Sequence, residues 1–130
     1  MPHDRRAFLA ATTAATAWAA APKVHAASKD KKYRTALIGS GWWGMNILRE
    51  SLASGQAKVV ALCDVDSDKL EIAAEEVEDL SGDQPETYRD FRELFEKEDV
   101  EIAIIATPDH WHALNTLAAI EKGAHIFIEK

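Results

Sequence analysis

The sequence has only one cysteine, Cys63, among its 130 residues. This scarcity excludes an internal disulfide framework and any metal site of the Cys-x-x-Cys type. Basic side chains are also few, with 15 lysines and arginines against 22 acidic residues, and they form no stripe along the chain. The formal net charge of −7 argues against a nucleic-acid-binding surface. Since internal repeats, low-complexity tracts and heptads are absent as well, the composition indicates a globular domain of ordinary size.

The first 27 residues have the pattern of an export signal. Arg5 and Arg6 precede an alanine-rich, weakly hydrophobic stretch, which ends in a small-residue pattern with cleavage expected after Ala26 or Ala27. The apolar stretch is shorter than the about 20 residues that span a bilayer. We therefore predict a twin-arginine export signal over residues 1–27 and a periplasmic or extracellular location. An amphipathic N-terminal arm or a retained membrane tether are the alternatives.

After a lysine-rich linker over residues 28–32, short apolar runs alternate with amphipathic helical patterns. Strands are predicted at residues 34–38, 58–64, 87–88, 100–106 and 124–128, and helices at about 43–54, 67–80, 90–97 and 112–122. Near-continuous apolar strands are typical of a parallel sheet that is covered on both faces. Helices between such strands require right-handed crossovers. The pattern therefore predicts an α/β domain with a doubly wound parallel sheet over residues 33–130.

The first predicted strand runs into Gly39-Ser40-Gly41-Trp42-Trp43-Gly44, a G-x-G-x-x-G sequence that opens a helix. In a Rossmann-type fold the first glycine allows a tight turn, the second lets the backbone approach a pyrophosphate, and the third lets the helix pack closely on the strand. The helix then presents free N–H groups to the phosphates. Trp42 and Trp43 are expected to pack over the helix or to shield the cofactor. An ordinary glycine-rich turn is the alternative.

Asp64 ends the second predicted strand, about 20 residues after Gly44. At that separation an acidic residue binds the ribose hydroxyls of a dinucleotide. A carboxylate also repels a 2′-phosphate, and no arginine follows closely, because the next residues are Val65 and Asp66. NAD is therefore favoured over NADP as the cofactor. The alternative role for Asp64 is a helix cap at the end of a strand.

Two further polar stretches follow predicted strands at the same edge of the sheet. Thr107 and Pro108 open a predicted loop over residues 107–111, where a hydroxyl and a stiff turn can line the nicotinamide side. The His-x-His pair in and after this loop has no third ligand at a suitable spacing, so no metal site is predicted. Glu129-Lys130 ends the last strand, where a lysine can bridge cofactor and substrate or protonate a developing alkoxide.

Together, four motifs resemble the N-terminal domain of the glucose-fructose oxidoreductase, inositol dehydrogenase and rhizopine-catabolism family (Gfo/Idh/MocA). They are the glycine loop, Cys63-Asp64-Val65-Asp66, Ala106-Thr107-Pro108 with His112, and Glu129-Lys130. The resemblance covers about residues 33–130 and is specific through the combination and order of the motifs. It implies an NAD(P)-dependent oxidoreductase that moves a hydride between nicotinamide and a sugar, cyclitol or polyol.

The resemblance also implies roles for individual residues. Lys130 matches the family lysine that contacts cofactor and substrate near the reacting carbon, and is the expected catalytic residue. The expected cofactor-binding residues are Gly39, Ser40, Gly41, Trp42, Trp43, Gly44, Asp64, Thr107, Pro108, His112 and Glu129. The family's second domain, which supplies most of the substrate pocket and the oligomer interface, has no counterpart here. We therefore interpret the sequence as the truncated front part of an enzyme expected to be a homo-oligomer.

Two other functions are considered at this point. A relative of the same family uses the cofactor transiently to cleave glycosidic bonds, because oxidation at one ring carbon acidifies its neighbour and allows elimination. The chain can also be a non-catalytic dinucleotide-binding fragment. Net formation of NADH separates the dehydrogenase from the glycosidase.

Overall fold

A computed structural model describes Ser28 and residues 30–129 of the chain. The predicted export signal and Lys130 lie outside the described residues. Within them the strands are β1 (Tyr33–Ile38), β2 (Ala57–Cys63), β3 (Glu86–Tyr88), β4 (Ile102–Ile105) and β5 (His125–Ile128). The helices between the strands are α1 (Trp42–Ala53), α2 (Ser67–Ser81), α3 (Phe91–Lys97) and α4 (Asp109–Glu121). Each predicted strand and helix therefore has a counterpart.

All five strands are parallel, in the order β3-β2-β1-β4-β5. The chain starts in the middle of the sheet, moves outward through β2 to β3, and then returns to place β4 on the other side of β1. This reversal makes a switch point at the carboxyl ends of β1 and β4, where open α/β sheets bind ligands. The predicted doubly wound α/β fold is confirmed.

The sheet buries an apolar core on each of its two faces. One core joins strand residues to α1 and α2, and includes Leu37, Leu48, Leu62, Val77 and Ile104. The other joins strand residues to α3 and α4, and includes Ile38, Ala61, Leu94, Ile105 and Ala119. Because neighbouring residues of a strand point to opposite faces, two cores require strands that are apolar at nearly every position.

The start of α4 differs from the prediction. The sequence predicted a loop over residues 107–111 and a helix from His112, whereas the helix begins at Asp109. Pro108 is the N-cap, with φ −55° and ψ 147°, a conformation that the proline ring favours. Asp109 places a negative charge in the first turn, where it stabilises the positive end of the helix dipole. The predicted start was wrong because the proline was taken as part of a longer turn.

Candidate functional site

A cavity of about 490 Å³ opens at the carboxyl edge of the sheet, at the switch point. This volume falls within the range of about 300–1,000 Å³ that is usual for small-molecule sites. Of the residues predicted from the sequence, the structure places Gly39, Gly41, Asp64, Thr107 and Pro108 in its lining. The loops after β1, β2 and β4 therefore meet around one space.

The three glycines of the loop have three different surroundings. Gly39 has φ +93°, and a Cβ there would lie 2.6 Å from the carbonyl oxygen of Ala106. A Cβ on Gly44 would overlap the carbonyl oxygen of Gly39, which is how closely α1 packs on the end of β1. A Cβ on Gly41 would have no atom within 4 Å, although Gly41 lines the cavity. Gly39 and Gly44 thus serve the fold, whereas Gly41 leaves free space for a ligand.

Asp64 is held between the glycine loop and the start of α2. Its Oδ2 accepts hydrogen bonds from the Ser40 backbone N–H at 2.8 Å and from the Ser40 hydroxyl at 3.2 Å. Its Oδ1 accepts from the Asp66 N–H at 3.0 Å. A carboxylate has about four acceptor positions, so Asp64 keeps capacity for a ligand hydroxyl. Ser40 is 4% exposed and its hydroxyl is used by Asp64, so it orients the carboxylate instead of lining the cavity.

Thr107 is fixed by two side chains of α4. His112 Nε2 donates to the Thr107 carbonyl oxygen at 2.6 Å, and Asn115 Nδ2 donates to Thr107 Oγ1 at 2.8 Å. Because a carbonyl only accepts, His112 carries its hydrogen on Nε2. Asn115 was not predicted as a site residue, although it lies three residues after His112 and therefore on the same side of a helix. His112 contacts the Thr107 backbone and is not among the residues that line the cavity.

The two tryptophans of the glycine loop lie on the outside of α1. Trp42 and Trp43 are 76% and 43% exposed, their ring centroids are 5.5 Å apart, and neither lines the cavity. The aromatic residues that do line it are Phe91 and Trp111, which pack edge-on with ring centroids 6.5 Å apart. Glu129 is partly buried beside β4, and its N–H donates to the Ile105 carbonyl at 3.1 Å.

Basic side chains lie on the Asp64 side of the cavity, where the sequence showed no arginine close to Asp64. Arg89 donates to the Val65 carbonyl from Nε at 3.2 Å and from Nη2 at 2.9 Å, and it lines the cavity together with Lys69 and Arg92. Arg89 is distant from Val65 in sequence. The two are close in space because Arg89 follows β3, which pairs with β2. A positive charge next to Asp64 offsets part of the repulsion that the carboxylate exerts on a phosphate.

We expect Arg89→Met to weaken the binding of NADPH more than that of NADH. NADPH carries its extra phosphate on the 2′-oxygen of the adenosine ribose, where NADH has a hydroxyl. A neighbouring guanidinium therefore binds NADPH more strongly than NADH. Losing one partly screened ion pair corresponds to about a threefold to tenfold larger dissociation constant. Fluorescence titrations with both nucleotides measure this ratio, and equal weakening of both would show that Arg89 only supports the Val65 turn.

Cys63 is buried at the end of β2 and is 5% exposed. Burial, followed by the negative charges of Asp64 and Asp90, raises the pKa of its thiol to about 12. At pH 8 the thiol is therefore protonated in the folded state, whereas an unfolded cysteine with a pKa of about 8.5 is partly ionised. We expect iodoacetamide to modify the folded chain at least about a hundredfold more slowly than the chain in denaturant. Comparable rates in the two states would contradict this burial.

In the described part of the chain, no group of three or more His, Cys, Asp or Glu side chains is arranged to hold a metal ion. Nor does any helix between Ser28 and Glu129 have the length and apolar character needed to cross a membrane. The candidate site consists of a glycine loop, a carboxylate and a threonine-proline step around one cavity.

The chain is similar to a known protein family and to several known proteins. The model of the Gfo/Idh/MocA oxidoreductases, which describes an NAD-binding Rossmann fold, matches residues 33–130. A glycosyl hydrolase family 109 protein of Stenotrophomonas maltophilia (strain K279a) is 34% identical over 131 residues, which cover 96% of this chain and 29% of that protein.

Solved structures that are similar to this chain include two dehydrogenases. The WlbA dehydrogenase from Chromobacterium violaceum, in complex with NADH and UDP-GlcNAcA, is 26% identical with a TM-score of 0.67, over 83% of this chain and 30% of that one. The myo-inositol 2-dehydrogenase from Lactobacillus plantarum is 30% identical with a TM-score of 0.65, over 77% of this chain and 28% of that one. The chain thus spans less than a third of the length of each of these three proteins.

Proposed function

Because this chain belongs to the Gfo/Idh/MocA family and contains its NAD-binding Rossmann domain, we propose that it is the cofactor-binding part of an enzyme that oxidises or reduces a sugar, cyclitol or polyol. The observation that carries the proposal is the cavity at the switch point, where Gly41, Asp64 and Thr107 meet. The similar WlbA dehydrogenase, solved with NADH and UDP-GlcNAcA, and the similar myo-inositol 2-dehydrogenase support this class of substrate.

The residues present fit a dinucleotide. The open side of Gly41, at the start of α1, leaves space for the backbone to approach a pyrophosphate. Asp64 keeps acceptor capacity for ribose hydroxyls, and Thr107 and Pro108 lie on the other side of β1 for the nicotinamide half. When bound, NAD accepts or returns a hydride at nicotinamide C4. The chain's own contribution is to hold the two halves of the cofactor on either side of the central strand.

Lys130 is the proposed catalytic residue. It matches the family lysine. The N–H of the preceding Glu129 donates to the carbonyl of Ile105, which ends β4 two residues before Thr107. As an ammonium, Lys130 Nζ can give a proton to the developing alkoxide when a substrate carbonyl is reduced, and as a neutral amine it can take the proton from the hydroxyl that is oxidised. Further substrate contacts belong to the parts of the enzyme that the relatives have beyond the matched region.

Titration with NADH and NADPH tests the proposed cofactor and the role of Asp64. We expect saturable NADH binding that is tighter than NADPH binding. Asp64→Ala should weaken NADH binding about tenfold or more, because it removes charged hydrogen bonds to the ribose, and should abolish the preference. Quenching of tryptophan fluorescence supplies the readout.

Asp68→Ala is the matched control, because Asp68 is an exposed carboxylate of the same helix-start region that does not line the cavity. A folded chain that binds neither nucleotide would refute the proposed function. Equal effects of the two substitutions would show that Asp64 acts only through the general charge of the region.

Glycoside cleavage with transient use of NAD is the second candidate function. The observation that favours it is the 34% identity to a protein named as a glycosyl hydrolase of family 109. Activity assays with both classes of substrate distinguish the two reactions. A dehydrogenase accumulates NADH when it is given a free sugar or inositol, whereas a glycosidase of this kind releases nitrophenol from nitrophenyl glycosides without net formation of NADH.

We also propose that residues 1–27 direct export by the twin-arginine route. This is consistent with a cofactor-dependent protein, since that route carries folded proteins. The similarity to the Stenotrophomonas protein covers 96% of this chain, so it extends into this segment. Fusion of residues 1–27 to a folded reporter tests the proposal. Export of the reporter should stop when Arg5 and Arg6 are both replaced with lysine, and unchanged export would refute the twin-arginine route.

A further inference from the structure

Asn115 combines deep burial with an incomplete set of hydrogen bonds. It is 1% exposed, and its Oδ1 is the buried side-chain polar atom that has no partner among the described residues. Buried polar atoms in folded proteins are nearly always bonded, because an unpaired one loses the hydrogen bonds it made with water. Asn115 is also among the residues that line the cavity, so a small rotation of its side chain on ligand binding would bring Oδ1 to a donor of the ligand.

The hydrogen-bond roles around Asn115 follow from its contact with Thr107. Asn115 Nδ2 donates to Thr107 Oγ1 at 2.8 Å, which uses one acceptor position of the hydroxyl. The hydroxyl hydrogen of Thr107 is therefore left to donate elsewhere. His112 holds the Thr107 carbonyl at 2.6 Å, so the residue cannot turn away. The pair therefore has one unused donor, the Thr107 hydroxyl, and one unused acceptor, Asn115 Oδ1.

The position of this pair within the cavity decides which part of a dinucleotide it can reach. Asp64 follows β2 and Thr107 follows β4, and these strands flank β1 on opposite sides. If Asp64 binds the adenosine ribose, Thr107 and Asn115 lie at the nicotinamide half. The nicotinamide ring carries a carboxamide, which has one carbonyl acceptor and two N–H donors.

We propose that Asn115 and Thr107 together recognise the nicotinamide carboxamide. The Thr107 hydroxyl donates to the carboxamide oxygen, and Asn115 Oδ1 accepts from the carboxamide N–H. Asn115 therefore both orients Thr107 and contacts the cofactor itself. This inference rests on the proposed function, because it requires a nicotinamide dinucleotide in the cavity.

The test compares NAD with ADP-ribose, which has the same adenosine and pyrophosphate but no nicotinamide. Calorimetric titrations are made with the unchanged chain, Asn115→Leu, Thr107→Val and the double variant. Each single substitution should weaken NAD binding about threefold to tenfold, the effect of one hydrogen bond, and leave ADP-ribose binding within about twofold. The double variant should lose less than the product of the two single losses, because the residues act as one unit.

Nicotinic acid adenine dinucleotide, which carries a carboxylate in place of the carboxamide, supplies a second readout. Asn115 Oδ1 repels a carboxylate, so the unchanged chain should prefer NAD and Asn115→Leu should lose most of this preference. Thr87→Val, on exposed β3, is the matched control for the loss of a threonine hydroxyl. If Asn115→Leu fails to fold in a thermal melt, Thr107→Val decides alone.

The outcomes separate the two proposals. A folded chain that binds neither NAD nor ADP-ribose overturns the proposed function and this inference with it. Binding of both ligands with equal losses in the variants shows that Asn115 only supports the fold, and overturns the inference alone. Unchanged NAD binding in the variants also overturns it, since Asn115 and Thr107 would then make no energetically significant contact with the nicotinamide.

Discussion

Gly44→Ala is expected to lower the free energy of unfolding by about 3 kcal/mol. The added Cβ would overlap the carbonyl oxygen of Gly39 and lie 3.3 Å from the Cβ of Ala106. Both obstacles belong to the backbone or to a short side chain, so no rotamer change relieves them. The overlap can be removed only if α1 moves away from the ends of β1 and β4, which separates the apolar contacts beneath it.

A thermal melt followed by circular dichroism measures this effect. For a domain of about 100 residues, a loss of 3 kcal/mol lowers the melting temperature by at least about 10 °C. Gly41→Ala serves as the control, because the same added atom meets nothing within 4 Å three residues earlier in the chain. A melting temperature within about 2 °C of the unchanged chain for Gly44→Ala would show that α1 shifts freely, and would contradict this account of the loop.

Gly41 substitutions are expected to have the opposite profile, with a preserved fold and impaired nucleotide binding. Gly41 is the N-cap of α1, with φ −71° and ψ −178°, an extended conformation that other residues adopt without strain. It lines the cavity, and a Cβ added to it would meet no protein atom within 4 Å. Alanine there should weaken NADH binding about tenfold, and valine at least about a hundredfold, because the added methyl groups occupy the space of the pyrophosphate.

Titration of both variants with NADH, NADPH and ADP-ribose measures this series. All three ligands contain the pyrophosphate, so their affinities should fall in parallel. The free energy of unfolding should fall by at most about 1 kcal/mol, the difference between glycine and a poor N-cap residue. If valine leaves all three affinities intact, the phosphates do not pass over Gly41, and the glycine loop is a structural turn.

The sequence was sufficient to predict the sheet because most of the strands are short apolar runs bounded by turn residues. Strand pairing around β1 then follows from the general rules for parallel sheets, without any knowledge of individual contacts. Asp64 was found in the same way, since its spacing from Gly44 places it at the end of β2. What these predictions share is that they depend on local pattern and chain order alone.

The contributions of Arg89 and Asn115 could not be predicted because they depend on contacts between separate elements. Arg89 reaches the turn after β2 only because β3 pairs with β2 along the sheet. Asn115 donates to Thr107 from the second turn of α4, which begins at Asp109 and not at the predicted His112. Accurate placement of the Pro108 cap would have indicated the contact.

The two hydrogen bonds from Ser40 to Asp64 also lower the entropy cost of nucleotide binding. They hold the glycine loop in place before any nucleotide arrives, so the conformational entropy of the loop is already lost when the chain folds. Ordering a free backbone residue costs about 1–2 kcal/mol, and each residue ordered in advance removes that cost from association. We therefore expect NADH to associate at a rate set by diffusional encounter and docking, with no slow phase from closure of this loop.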